Sequence, residues 1–173
     1  MQSIEQLSAR IGQEAELLAS QMRTRGWMLA TAESCTGGLL AGAITDLPGS
    51  SDWFERGYVT YSNAAKQDEL GVTADALHRY GAVSEQVAAQ MAAGVLKASV
   101  RPALSLATTG IAGPGGATDG KPVGMVCFGM AWRDAGEILT RTETCLFAGD
   151  RRQVRLAAVE FALRLARHFS EMR

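Results

Sequence analysis

Ser34-Cys35-Thr36-Gly37-Gly38 sets a hydroxyl, a thiol, a second hydroxyl and two glycines in succession behind a short apolar run. A serine placed where a strand gives way to a helix stands beside unpaired backbone N–H groups. Those donors, together with the helix dipole, suit an oxyanion. Glycines let the backbone approach a substrate closely, which makes Thr36, Gly37 and Gly38 candidates for binding. Ser34 and Thr36 fit equally well as helix N-caps, with the glycines serving helix–sheet packing. Cys35 is a rival nucleophile, but no neighbour in the sequence activates it, and a buried small hydrophobe is its competing role.

A serine nucleophile needs a base. The two histidines, His78 and His168, lie outside every segment of this kind. Lys66 stands three residues after Asn63, on the first turn of a short helix that follows a strand. From there it can point back over the strand terminus, where burial favours its neutral form. Ser–Lys pairs are a known variant of triad logic, and Tyr61 at the strand end could pass or orient the proton. The competing reading makes Lys66 a solvated helix charge and Tyr61 a wedge between layers.

Gly110 to Gly116 is the third such segment. Its N–H groups could cradle a phosphate or a ribose, with Gly110 and Gly113 giving close approach, or it could be a plain turn. It is not a P-loop: Gly115 to Lys121 has the spacing, but Pro122 occupies the Ser/Thr position. Arg151 and the arginines after it could supply a phosphate ligand, although an exposed helix face accounts for most of them.

These segments need strands to end together. Ser3 and Gln6 form a capping box for a helix with Ile4, Leu7, Ile11, Ala15, Leu18 and Met22 on one stripe, stopped by Gly26. Residues 27–32 read as a buried strand, 39–45 as a helix and 54–62 as a strand. Asn63 caps a short helix, 73–80 form another, and Ser84 opens a longer one ending near Ser99. Strand 104–109 empties into the glycine loop. Strands 123–132 and 137–147 follow, joined near Ala135-Gly136, and Asp150 caps a last helix striped by Val154, Ala158, Phe161, Leu165 and Phe169. The pattern predicts one α/β domain over residues 1–173, a single-domain α/β/α sandwich with a mixed, mainly parallel sheet. In such sheets ligands gather at the carboxyl ends of the strands, so the three segments are expected to converge on one pocket.

Composition narrows the partners. The 173 residues are 47% hydrophobic and 20% charged, with 17 Lys plus Arg against 18 Asp plus Glu. A near-neutral chain supplies no general attraction for nucleic acid or anionic membrane. Three scattered cysteines offer neither a disulfide framework nor a zinc motif, and no metal site or cofactor is expected. The first residues lack a secretory pattern, and no apolar run approaches the roughly 20 residues of a membrane span. The expected location is cytoplasmic.

The blocks Ala32-Glu33-Ser34-Cys35-Thr36-Gly37-Gly38, Pro48-Gly49-Ser50-Ser51-Asp52-Trp53-Phe54-Glu55-Arg56-Gly57 and Val59-Thr60-Tyr61-Ser62-Asn63 with Lys66 resemble the CinA C-terminal domain family. Gly81-Ala82-Val83-Ser84-Glu85, Thr109-Gly110-Ile111-Ala112-Gly113-Pro114, Lys121-Pro122-Val123-Gly124 and Gly149-Asp150-Arg151 continue the match in order, across essentially the whole chain. The resemblance implies an α/β sandwich that assembles as a homodimer or higher homo-oligomer. It also implies a nicotinamide-nucleotide amidohydrolase, which hydrolyses the carboxamide of nicotinamide mononucleotide to nicotinate mononucleotide and ammonia. By motif match, Ser34 is the implied nucleophile, Lys66 the base and Tyr61 the third member of their hydrogen-bonded set. The same match implies that Thr109 lines the pocket and that Arg151 is a transition-state or phosphate ligand. Many relatives carry a further N-terminal domain resembling molybdopterin-binding proteins; this chain is expected to be the stand-alone form. The alternative is a non-catalytic nucleotide-binding protein, or an interaction protein associated with competence or DNA damage.

Overall fold

The computed structural model describes residues 1–173. Chain order is α1 (Ile4–Arg25), β1 (Leu29–Glu33), α2 (Leu39–Thr45), β2 (Phe54–Val59), α3 (Asn63–Leu70), α4 (Ala74–Tyr80), α5 (Glu85–Ala98), β3 (Leu104–Gly110), β4 (Met125–Asp134), β5 (Glu137–Leu146) and α6 (Arg151–Glu171). The strands form one sheet in the order β2-β1-β3-β4-β5. β1 pairs in parallel with β2 and β3, while β3–β4 and β4–β5 pair antiparallel. The sheet is mixed as expected, and its pairings divide evenly between the two kinds.

Side-chain size explains how the helices sit. Leu29, Leu104, Leu106, Val126, Phe128 and Met130 point to one face, where they meet the apolar stripes of α1, α2 and α6. The opposite face is lined by Ala30, Ala32, Ala107 and Ala131, which pack against α5 and its neighbours. Small residues there let α5 lie close to the sheet. At Gly129 of β4 a Cβ would stand 2.1 Å from the Ala88 carbonyl oxygen of α5, so only glycine fits. Both long helices begin with a capping box, Ser3 with Gln6 and Asp150 with Gln153. They pack against each other, fastened by Arg167 Nε on Glu14 at 2.6 Å.

The strand ends fall within a few residues of the sequence reading, with two local differences. Residues 50–52 form a short 3-10 turn that the sequence reading leaves unassigned. Ser62, not Asn63, caps α3, its Oγ accepting the Ala65 N–H at 3.0 Å. No helix is long and apolar enough to cross a membrane.

Candidate active site

β1 is buried at all five positions between its two parallel neighbours. Pairing runs one step past its end: the Ser34 N–H donates to the Thr108 carbonyl at 2.9 Å. The chain then reverses through Gly37 (φ 58°) and Gly38 (φ 98°), left-handed conformations that favour glycine. That turn leaves the Ser34 hydroxyl at the carboxyl edge of the sheet.

Lys66 arrives from the neighbouring strand. β2 ends at Val59, Ser62 starts α3, and Lys66 on its first turn folds back beneath the Thr60–Tyr61 peptide. Its Nζ lies 2.9 Å from Ser34 Oγ, 2.7 Å from the Thr60 carbonyl oxygen and 3.3 Å from that of Tyr61. Lys66 is 1% exposed and Ser34 9%. Burial lowers the Lys66 pKa from its ordinary value, and no carboxylate offsets that effect. Burial, reinforced by the Glu33 carboxylate, pushes the Cys35 thiol up to about 12. The two side chains therefore separate chemically: the amine is driven toward its neutral, basic form and the thiol toward its unreactive one.

A cavity of about 210 Å³ opens over this pair, lined by Ser34, Cys35, Tyr61, Lys66, Thr109 and Arg151 together with Gly110. Thr109 Oγ1 donates to the Ala82 carbonyl at 2.8 Å, tying the end of β3 to the segment before α5. Ala82, Val83 and Ala112 complete the wall; small apolar residues in loops carry no chemical signal for such a role. Arg151, the first residue of α6, donates to the Gly113 carbonyl at 2.7 Å and to the Tyr61 hydroxyl at 3.1 Å. Both partners are neutral, which leaves a guanidinium charge at the cavity mouth. Gly113 thus holds Arg151 through its carbonyl. Tyr61 meets Lys66 only through its backbone oxygen, its phenol being turned to Arg151.

The three residues after Cys35 sit differently from the sequence expectation. Thr36 is fully buried, its hydroxyl 2.6 Å from Glu33 Oε1 and 2.7 Å from Thr108 Oγ1. The Gly37 N–H donates to the Ser34 carbonyl at 3.0 Å. Glu33 absorbs the start of α2: its carboxylate accepts the N–H groups of Gly38 at 3.2 Å, Leu40 at 2.8 Å and Ala41 at 3.0 Å. The positive end of α2 is thereby neutralised from inside the protein. Gly38 belongs to a separate groove between α1, α2 and α6.

The family model described as CinA C-terminal domain matches residues 12–170. A nicotinamide-nucleotide amidohydrolase PncC from Enterobacter agglomerans is 50% identical over 163 residues, covering 94% of this chain and 93% of that protein. A CinA-like protein from Chlorobium phaeobacteroides is 54% identical over 152 residues, which span 87% of this chain but only 36% of that longer protein. Among solved structures, a CinA superfamily protein from Klebsiella pneumoniae superposes with a TM-score of 0.87 at 35% identity, covering 94% of this chain and 99% of the other. The competence/damage inducible protein CihA of Agrobacterium tumefaciens superposes at 0.83 with 45% identity, covering 90% and 93%. Fold, motif order and near-complete coverage agree: the chain belongs to the CinA C-terminal domain family.

Proposed function

We propose that this protein hydrolyses the carboxamide of nicotinamide mononucleotide, releasing nicotinate mononucleotide and ammonia, with Ser34 as nucleophile and Lys66 as general base. Relatives that are about half identical along nearly their whole length and named nicotinamide-nucleotide amidohydrolases support the reaction. The observation that carries the mechanism is the set of partners around Lys66 Nζ. A neutral amine has two N–H donors and one lone pair. Nζ donates to the Thr60 and Tyr61 carbonyls and to Ser34 Oγ; once the amine is neutral the two carbonyls can keep both donors, which leaves the lone pair to face the Ser34 hydroxyl.

Ser34 Oγ attacks the carboxamide carbon as its proton passes to Lys66. The cationic pyridinium of the substrate withdraws electrons from that carbon and assists the attack. Lys66 returns the proton to the amide nitrogen, the C–N bond breaks and ammonia leaves an ester on Ser34. Water adds to that ester, giving its proton to Lys66, and collapse restores the serine. Arg151, whose charge meets only neutral partners, supplies a cation for the nucleotide phosphate at the cavity mouth.

Purified wild-type protein is expected to release ammonia from nicotinamide mononucleotide, and Ser34→Ala to release none while keeping its melting temperature. A Ser34→Ala protein with wild-type turnover would remove Ser34 from the nucleophile role. A folded wild-type protein that binds the nucleotide without ammonia release would favour the binding-protein alternative.

A further inference from the structure

A tetrahedral intermediate on Ser34 carries an oxyanion, and most donors nearest in sequence are committed elsewhere or lie off the cavity wall. Gly37 N–H serves the Ser34 carbonyl, and Gly38 N–H serves Glu33. Thr36 is fully buried and does not line the cavity, so its N–H, although no carbonyl takes it, is not offered to the substrate. The Cys35 N–H remains: no backbone carbonyl and no other residue's side chain takes it, and Cys35 lines the cavity beside Ser34.

Its direction is set from outside the cavity. Arg155, one helical turn beyond Arg151 on α6, donates through Nε to the Cys35 carbonyl at 3.0 Å and through Nη2 to the Thr36 carbonyl at 3.1 Å. The peptide that ends at the Thr36 carbonyl begins its other side with the Gly37 N–H, which donates to the Ser34 carbonyl. The Ser34 carbonyl in turn shares its peptide with the Cys35 N–H. In a trans peptide the two groups point opposite ways, so each hydrogen bond fixes and polarises the next. One cation thus stands at the head of a two-peptide chain whose far end is the N–H beside the nucleophile, engaged only by the thiol of its own residue. Gly37 makes room for it: a Cβ there would lie 3.1 Å from Arg155 Nη2.

We propose that Arg155 is a positioning residue for the reaction, holding the Cys35 N–H as the oxyanion donor; this rests on the Ser34 mechanism above. Arg155 does not line the cavity, so it acts on the transition state through the backbone and leaves ground-state binding alone. A guanidinium fork matches two carbonyls held side by side, which a single ammonium cannot do.

The test compares Arg155→Met and Arg155→Lys with wild type, measuring ammonia release from nicotinamide mononucleotide over a range of pH. Removal of one oxyanion donor costs about 100-fold or more in kcat. Arg155→Met is expected to approach that loss, with Arg155→Lys about 10-fold down because one ammonium grips one carbonyl. KM should stay within about twofold, and the pH–rate profile should overlay that of wild type, since Lys66 is untouched. Wild-type kcat in either variant, a loss carried by KM, or a displaced pH profile would overturn the assignment. Should Arg155→Met not fold, the Lys variant decides alone. If wild type is active and Ser34→Ala is dead while the Arg155 variants keep full kcat, only the Arg155 role falls. If Ser34→Ala is active, the underlying mechanism falls with it.

Discussion

Replacing Lys66 by methionine keeps the bulk of the side chain and removes its nitrogen, so the consequences separate into rate and stability. For the rate, general-base assistance contributes about 100- to 10,000-fold, equivalent to about 3–5 kcal/mol of barrier. All three partners of Nζ are protein atoms. The loss is therefore expected in kcat, with KM for nicotinamide mononucleotide little changed. For stability, two effects oppose. Methionine relieves the desolvation of a buried amine, but leaves the Thr60 and Tyr61 carbonyls without a donor, at about 1–3 kcal/mol each. These two effects offset each other, whereas the pH slope has one sign. Because burial lowers the folded-state pKa of Lys66 below its ordinary 10.5, the unfolded chain holds a proton there that the folded chain lacks. Wild-type stability must then rise with pH from the lowered pKa up toward 10.5, where the difference vanishes. The same deprotonation makes the wild-type rate climb with pH. Ammonia release across pH, with urea unfolding at matched pH values, reads both effects. A folded Lys66→Met protein with kcat within about threefold of wild type refutes the base assignment. An identical pH dependence of stability in the two proteins refutes the lowered pKa.

Two further outcomes follow from the surroundings of Ser34. Cys35→Ala is expected to keep kcat within about twofold, and thiol-alkylating reagents near neutral pH should leave turnover intact, because a thiol pushed up to about 12 holds almost no thiolate. Glu33→Gln replaces one acceptor oxygen by a donor facing the N–H groups at the start of α2. With charge-assisted bonds lost, we expect destabilisation of about 2–4 kcal/mol and a melting temperature lower by about 5–15 °C, measured by calorimetry.

Local chemistry made much of this arrangement readable in advance. The capping boxes at Ser3 and Asp150 announce α1 and α6, and Ala135-Gly136 marks the turn between β4 and β5. The strand ends at Ser34, Tyr61 and Thr109 do meet around one cavity, because parallel strands place their carboxyl ends on the same edge of the sheet. The groups that organise the turn were not readable. Glu33 looks like a polar strand end, and nothing local indicates that its carboxylate is fully buried and bonded to residues seven and eight positions ahead. Arg155 sits among other arginines on a helix, and its partners lie 119 and 120 residues away. Tyr61 lines the cavity just past the end of β2, but its phenol faces Arg151, a contact that depends on how α6 docks.

The pairing of α1 with α6 joins the first helix to the last, and α6 also brings Arg151 to Gly113 and Tyr61 at the cavity mouth and Arg155 to the turn formed by residues 34–38. During synthesis, the serine, the lysine and the sheet edge all leave the ribosome before either arginine does. A nascent chain halted short of residue 151 therefore carries the proposed nucleophile, Ser34, with no finished enclosure around it. On the proposed mechanism, turnover would wait until the closing helix seats.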